Sequence, residues 1–207
     1  MRIMVLSGLV CTLLIAGCAA PIKEQRRAGF LTDYSKLEKV DEERYLYVSD
    51  RLGEYDKFYI APVTMLAKPS KENGSFSDEE IDKLKAYIVE AMTKALTKGD
   101  DGYEVVGEPG PGVAQYRLAI TALDQTVGAL NFSIYTKITG AGLGGMAMEM
   151  ETVDSLTGEQ LGAGVRWGNG SRVLRAGMTK TGDAKILIKR WSKDAREEID
   201  RLHGRGD

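Results

Sequence analysis

Two glutamates, Glu149 and Glu151, sit two residues apart in the run "GGMAMEMETVDS". On an extended strand that spacing separates their backbones by about 6.7 Å, inside the range that inverting glycosidases use for an acid and a base carboxylate. Such a pair must flank the scissile bond from opposite sides, whereas residues two apart on one strand point the same way. The expectation is a solvated sheet face carrying both carboxylates, and a hydrolase built on them ranks last among the functions considered. "GAGLGG", Gly140 to Gly145, has the composition of a phosphate loop. A dinucleotide loop, however, follows a strand and opens a helix, while these glycines open a strand, as a hairpin connection or lip. A nucleophilic triad needs a positioned histidine, and the single histidine, His203, lies beside a glycine-rich tail that is expected to fray. One histidine and no free cysteine in the mature chain argue against a zinc site; an all-carboxylate calcium site stays open. No catalytic residue, metal ligand or cofactor is assigned.

The two cysteines do carry chemistry of another kind. Arg2 is followed by a short apolar run that ends "LLIAGCAA", residues 13–20. A membrane-spanning helix needs about 20 apolar residues, so this run is a secretory signal rather than a span. Its end, Ile15-Ala16-Gly17-Cys18, resembles the bacterial lipobox. That resemblance implies cleavage before Cys18 and attachment of lipid to its sulfur, because a thiolate can be alkylated by a diacylglycerol donor. Residues 1–17 then form the signal peptide, and residues 18–28 a lipidated cysteine with a polar tether. Cys11 leaves with the signal, so no disulfide supports the fold. Each buried methylene of the lipid contributes about 0.8 kcal/mol, and two or three chains anchor durably. Ala19, rather than Asp, follows the cysteine, which by analogy points to the outer membrane, on its periplasmic face.

Composition sets the remaining bounds. The chain has 207 residues, 43% hydrophobic and 28% charged, with a formal charge of −2. That is one ordinary globular domain, without the field expected of a nucleic-acid binder. The domain is placed at residues 29–203, with 204–207 as a disordered tail. In "GFLTDYSKL", Phe30, Leu31, Tyr34 and Leu37 recur at three- and four-residue spacing, as a short helix or a docked apolar segment. "YDKFYIAPVTM" reads as the first strong strand, with Pro62 at an edge or near its end. Ser77 to Glu80 form a capping box that opens a helix over 78–98, closed by Gly99. Strands follow at 103–106, 114–127 and 130–138, then a hairpin around Ser155 to Gly158, then a helix over 183–202. Met146, Met148 and Met150 share one face of the hairpin's first strand, as core or as a hydrophobic groove. The order predicts an α+β two-layer sandwich: a mostly antiparallel mixed sheet with two main helices packed on one face.

Several of these segments together resemble a family of bacterial lipoproteins, domain of unknown function 3313. They are "GFLTDYSKL", "YDKFYIAPV", "PGPGV" followed by "YRLAIT", and "GGMAMEMETVDSLTGEQLGAGV" with its turn of Asp154, Thr157, Gly158 and Glu159. The resemblance implies a lipoprotein with a compact mixed domain and implies no activity. The C-terminal quarter is locally basic, and Arg172, Arg175, Lys189, Arg190 and Lys193 form a candidate interaction surface toward anionic head groups or a solvated helix face. The functional expectation is a non-enzymatic envelope interaction or assembly module. It would be held at the membrane through its N-terminal lipid, would have an envelope protein as possible partner, and would not bind nucleic acid. The alternative is a lipid- or small-molecule-binding accessory of envelope transport.

Overall fold

The computed structural model describes residue 22 and residues 27–67, 76–123, 145–169 and 181–205. The signal residues Ile15, Ala16 and Gly17, the lipid-attachment residue Cys18, the expected strand 130–138, Gly140 to Gly144, and Arg172 and Arg175 lie outside the described residues.

Among the described residues, eight strands form one mixed sheet. They are β1 (Glu38–Asp41), β2 (Arg44–Val48), β3 (Lys57–Ile60), β4 (Thr64–Met65), β5 (Glu104–Val106), β6 (Val113–Leu123), β7 (Gly145–Asp154) and β8 (Gln160–Asn169). The order is β1-β2-β8-β7-β6-β3-β5, with β4 pairing with β6. β6, β7 and β8 form the expected antiparallel meander, while β3 runs parallel to both β5 and β6. A parallel pair needs a crossover, and α1 (Asp78–Leu96) provides it between β3 and β5. The long strand read over 55–65 is broken. Ile60 pairs with Tyr116 and Thr64 with Ala119, so four residues on one side span three on the other. Pro62 sits in that bulge, where no ladder N–H is needed.

Helix α1 starts on the full capping box of Ser77 and Glu80 and buries Leu84, Ile88, Met92 and Leu96. The second helix, α2 (Gly182–Leu202), buries Leu187, Ile188, Trp191 and Ile199. Both stripes join Phe58, Tyr116, Leu118, Ile120, Met146, Met148 and Leu161 in one core on one face of the sheet. The methionine stripe is therefore core. Close approach of helix and sheet depends on Gly168: a Cβ there would lie 3.0 Å from a Leu187 methyl.

The described C-terminal residues, through Arg205, are held against the domain, which corrects two expectations. Arg196 fills the end of α1, its guanidinium donating to the carbonyls of Leu96 at 2.6 Å, Lys98 at 3.3 Å and Asp101 at 3.3 Å. Leu96 ends the helix, whose last carbonyls have no partner within it, Lys98 and Asp101 belong to the turn that follows, and the cation also opposes the negative end of the helix dipole. Arg196 and Arg205 both stack on the Tyr103 ring, whose hydroxyl donates to Asp200 at 2.8 Å. His203 is not frayed: its side chain is 9% exposed and rests on the Tyr103 ring. The tail placed at 204–207 is ordered through Arg205, whose N–H donates to the Asp200 carbonyl at 2.8 Å. Residues 206–207 lie outside the described residues.

Candidate functional site

The opposite face of the sheet holds the polar constellation. β7 alternates strictly, sending Met146 and Met148 toward the helices and Ala147, Glu149 and Glu151 the other way. Glu149 and Glu151 are each 1% exposed, so the solvated carboxylate face expected from the sequence is wrong. The reason is the N-terminal segment. Residues 27–37 lie across β7 and β8 as an irregular strap, with no helix in "GFLTDYSKL". Leu31 and Leu37 are buried with Ile22 in a second apolar cluster against Tyr45, Ala147, Ala163, Val165 and Trp167.

An irregular segment has no ladder for its own N–H groups, which must find other acceptors. The two carboxylates supply them. Ala28 N–H donates to Glu149 Oε1 at 2.6 Å and Phe30 N–H to Glu149 Oε2 at 3.0 Å. Thr32 N–H donates to Glu151 Oε1 at 2.7 Å, and its hydroxyl to Glu151 Oε2 at 3.1 Å. The donors fall on alternate residues, 28, 30 and 32. Alternate residues of an extended chain rise by about 6.7 Å, the same step that separates Glu149 from Glu151 along β7.

The clasp is completed by Tyr34, read from the sequence only as part of an apolar repeat, and by Arg117 and Gln160, to which the sequence reading gave no role. The Tyr34 hydroxyl donates to Glu149 Oε2 and accepts from Gly29 N–H at 2.8 Å and Phe30 N–H at 3.0 Å. Burial, and then the adjacent Glu149 carboxylate, push the Tyr34 phenol up to about 12. Arg117 is the direct cross-strand partner of Glu151 on β6 and donates to its Oε2 at 2.8 Å. Gln160 Nε2 bridges Glu151 at 2.8 Å and the Asp33 carbonyl at 3.0 Å. Glu149 thus receives neutral donors, whereas Glu151 receives neutral donors and one cation.

The expected tether, residues 18–28, is in contact with the domain before its end. Ile22 is 2% exposed, its carbonyl accepts from Arg27 at 3.3 Å, and Ala28 is bound by Glu149. The segments quoted for the family resemblance also meet one another in space. "GFLTDYSKL" binds the glutamates of "GGMAMEMETVDS". "PGPGV" docks on the turn after β7, where Gly110 N–H donates to Ser155 Oγ at 3.0 Å and Ser155 N–H to the Val113 carbonyl at 3.0 Å. In that turn Asp154 accepts from Thr157 N–H at 2.7 Å and from the Tyr55 hydroxyl at 2.9 Å. Those bonds, Thr157's first, hold its carboxyl at about 2.

Of the candidate basic surface, three residues are described. Lys189, Arg190 and Lys193 are exposed on α2. Arg190 lies 3.6 Å from Glu43, and Lys193 lies 2.7 Å from Glu197. Beside them runs a charged groove of about 750 Å³, lined by Asp41, Arg44, Arg166, Trp191 and Asp194 among others. Its arginines are matched: Arg166 donates to Asp194, and Arg44 lies 3.2 Å from Asp41. Among the described residues no group of three or more His, Cys, Asp or Glu is arranged to hold a metal, and no helix is long and apolar enough to cross a membrane.

Comparison with known proteins agrees with the resemblance read from the motifs. The family model of a protein of unknown function, DUF3313, matches residues 26–195, and the chain belongs to that family. No curated protein is significantly similar to the chain. Among solved structures, the PelC dodecamer from Paraburkholderia phytofirmans is 8% identical, with 74% of this chain and 96% of that one covered at a TM-score of 0.45. Protein XCC0632 from Xanthomonas campestris, of family DUF330, is 8% identical, covering 72% and 86% at 0.39. Hypothetical protein CT253 from Chlamydia trachomatis is 10% identical, covering 72% and 96% at 0.36. No residue role or assembly is carried over from them.

Proposed function

We propose that the chain is a lipoprotein, attached through Cys18 to the periplasmic face of the outer membrane, whose domain serves as a non-enzymatic envelope interaction or assembly module. The observation that carries the reading is the strap. The segment that follows Ile15-Ala16-Gly17-Cys18 is bound to the sheet through Ile22, Ala28, Phe30 and Thr32. Docking of that end sets the domain a short, defined length of chain from its anchor. Both carboxylates that suggested hydrolysis are engaged in the same contact, which removes the motive for a hydrolase.

The test is crosslinking in living cells, then affinity capture and mass spectrometry, comparing wild type with Cys18→Ala. Metabolic labelling with an alkynyl palmitate reads attachment directly. The expected result is label on the wild type, none on the variant, and one abundant envelope protein captured only with the wild type. An unlabelled wild type overturns the attachment, and turnover of a substrate by the purified domain overturns the non-enzymatic part.

A second reading, a small-molecule-binding accessory, draws its support from the charged groove between the β1–β2 turn and α2. Its lining favours a polar ligand over a lipid tail, and native mass spectrometry of gently isolated protein would detect retained mass.

A further inference from the structure

The strap differs from the rest of the fold in what would happen if it left. The ladder of β7 is complete without it: its residues pair with β6 on one side and β8 on the other from Met146 to Val153. The core under α1 and α2 shares none of its buried residues with the strap's cluster. Removing the strap would therefore uncover one face of a sheet whose other face stays packed.

The bonds that hold it are also exchangeable. Its N–H groups meet carboxylate oxygens that are acceptors for water as readily as for amides, so a protein–protein set is traded for a protein–water set. Departure would rehydrate Glu149 and Glu151 instead of stranding them, and burying such charges is what opposes docking. Arg117, with a side chain 38% exposed, can stay with Glu151 in either state. The apolar contribution of the strap rests on Ile22, Leu31 and Leu37.

Docking changes how far the domain stands from its anchor. Four residue steps separate Cys18 from Ile22, which span at most about 14 Å. With the strap released, twenty steps separate Cys18 from the first residue of β1, Glu38, which span up to about 70 Å when stretched. We propose that the strap is a reach switch: Ile22 and residues 27–37 leave and rejoin the face that carries Glu149 and Glu151 while the domain stays folded, and the two states hold the domain either against the membrane or free to reach away from it. This rests on the attachment at Cys18 proposed above.

The experiment uses the full lipidated chain in vesicles of phosphatidylethanolamine and phosphatidylglycerol. Hydrogen exchange compares the amides of Ala28, Phe30 and Thr32 with those of β6 and β7. The strap amides are expected to exchange at least about 100-fold faster than the ladder amides, because they open locally. In the Glu149→Gln/Glu151→Gln variant they should quicken about 10-fold more with the ladder unmoved. A fluorophore on Leu156→Cys, in the exposed turn after β7, paired with a bilayer dye, should report a longer and broader distance in that variant. Strap amides that exchange in step with the β7 ladder in the wild type overturn the switch, with no variant needed. Equal distances in wild type and variant overturn the change of reach. Protein that fails to bind vesicles overturns the attachment and with it the reach, while the exchange data still decide whether the strap opens.

Discussion

The two faces of the sheet are covered by different means. On one face α1 and α2 pair their own backbone groups, so the sheet need offer them only apolar side chains, and Phe58, Ile120, Met146 and Leu161 are 0% exposed there. On the other face the cover is an irregular strap, and the sheet must answer its N–H groups with acceptors. Two carboxylates sit where a second apolar stripe would otherwise be. The chemistry of a buried sheet face thus depends on the secondary structure of what covers it.

If that distinction holds, damage on the helical face should unfold the whole domain, and damage on the strap face should loosen the strap first. The largest expected effect is Phe58→Ala, which removes a fully buried ring and costs about 4 kcal/mol. Urea denaturation should show one lowered midpoint with the slope unchanged. Leu31→Ala should cost about 2 kcal/mol by the same loss of burial, but as faster proteolysis near residue 31, with the main unfolding midpoint nearly unmoved. A global shift matching that of Phe58→Ala would erase the difference between the faces.

Tyr34→Phe, which deletes a hydroxyl shared by the strap and Glu149, should cost about 1.5 kcal/mol, again local. Its pH dependence is specific. The phenol's folded value is raised from 10.0 to about 12, so its contribution is complete below pH 10 and is lost as pH rises through 12. Wild-type strap protection should fall across that window, and Tyr34→Phe should remove the part due to this residue. Ser77→Ala deletes the α1 cap and should cost about 1 kcal/mol. It should lower the main midpoint and leave strap proteolysis untouched, the mirror image of Leu31→Ala.

The helical face was legible because its signals are local. Ser77 with Glu80 marks the start of α1, and Leu84 and Ile88, four residues apart, mark the side that is buried. The alternation that put Met146 and Met148 on one side of β7 and Glu149 and Glu151 on the other was also correct. What local pattern could not show is that both sides are covered. Glu149 and Tyr34 lie 115 residues apart and Glu151 and Thr32 lie 119 apart, so no periodicity links them. The one signal that pointed there was the resemblance itself, since two of the segments that carried it are the two halves of the clasp. Arg117 and Gln160 left no local mark, because a cross-strand ion pair or hydrogen bond depends on register and register is set by pairing across the sheet.

The Arg196 cap at the end of α1 has a consequence for the order in which the chain can fold. The guanidinium that closes α1 is about 100 residues downstream of the carbonyls it satisfies. Every buried residue of α2 likewise arrives after the whole sheet has been made. The part of the apolar face that α2 covers therefore stays open until the last helix has followed the sheet and α1. A chaperone that binds extended apolar strands has a defined window in which to hold this protein, and it closes only when that helix docks.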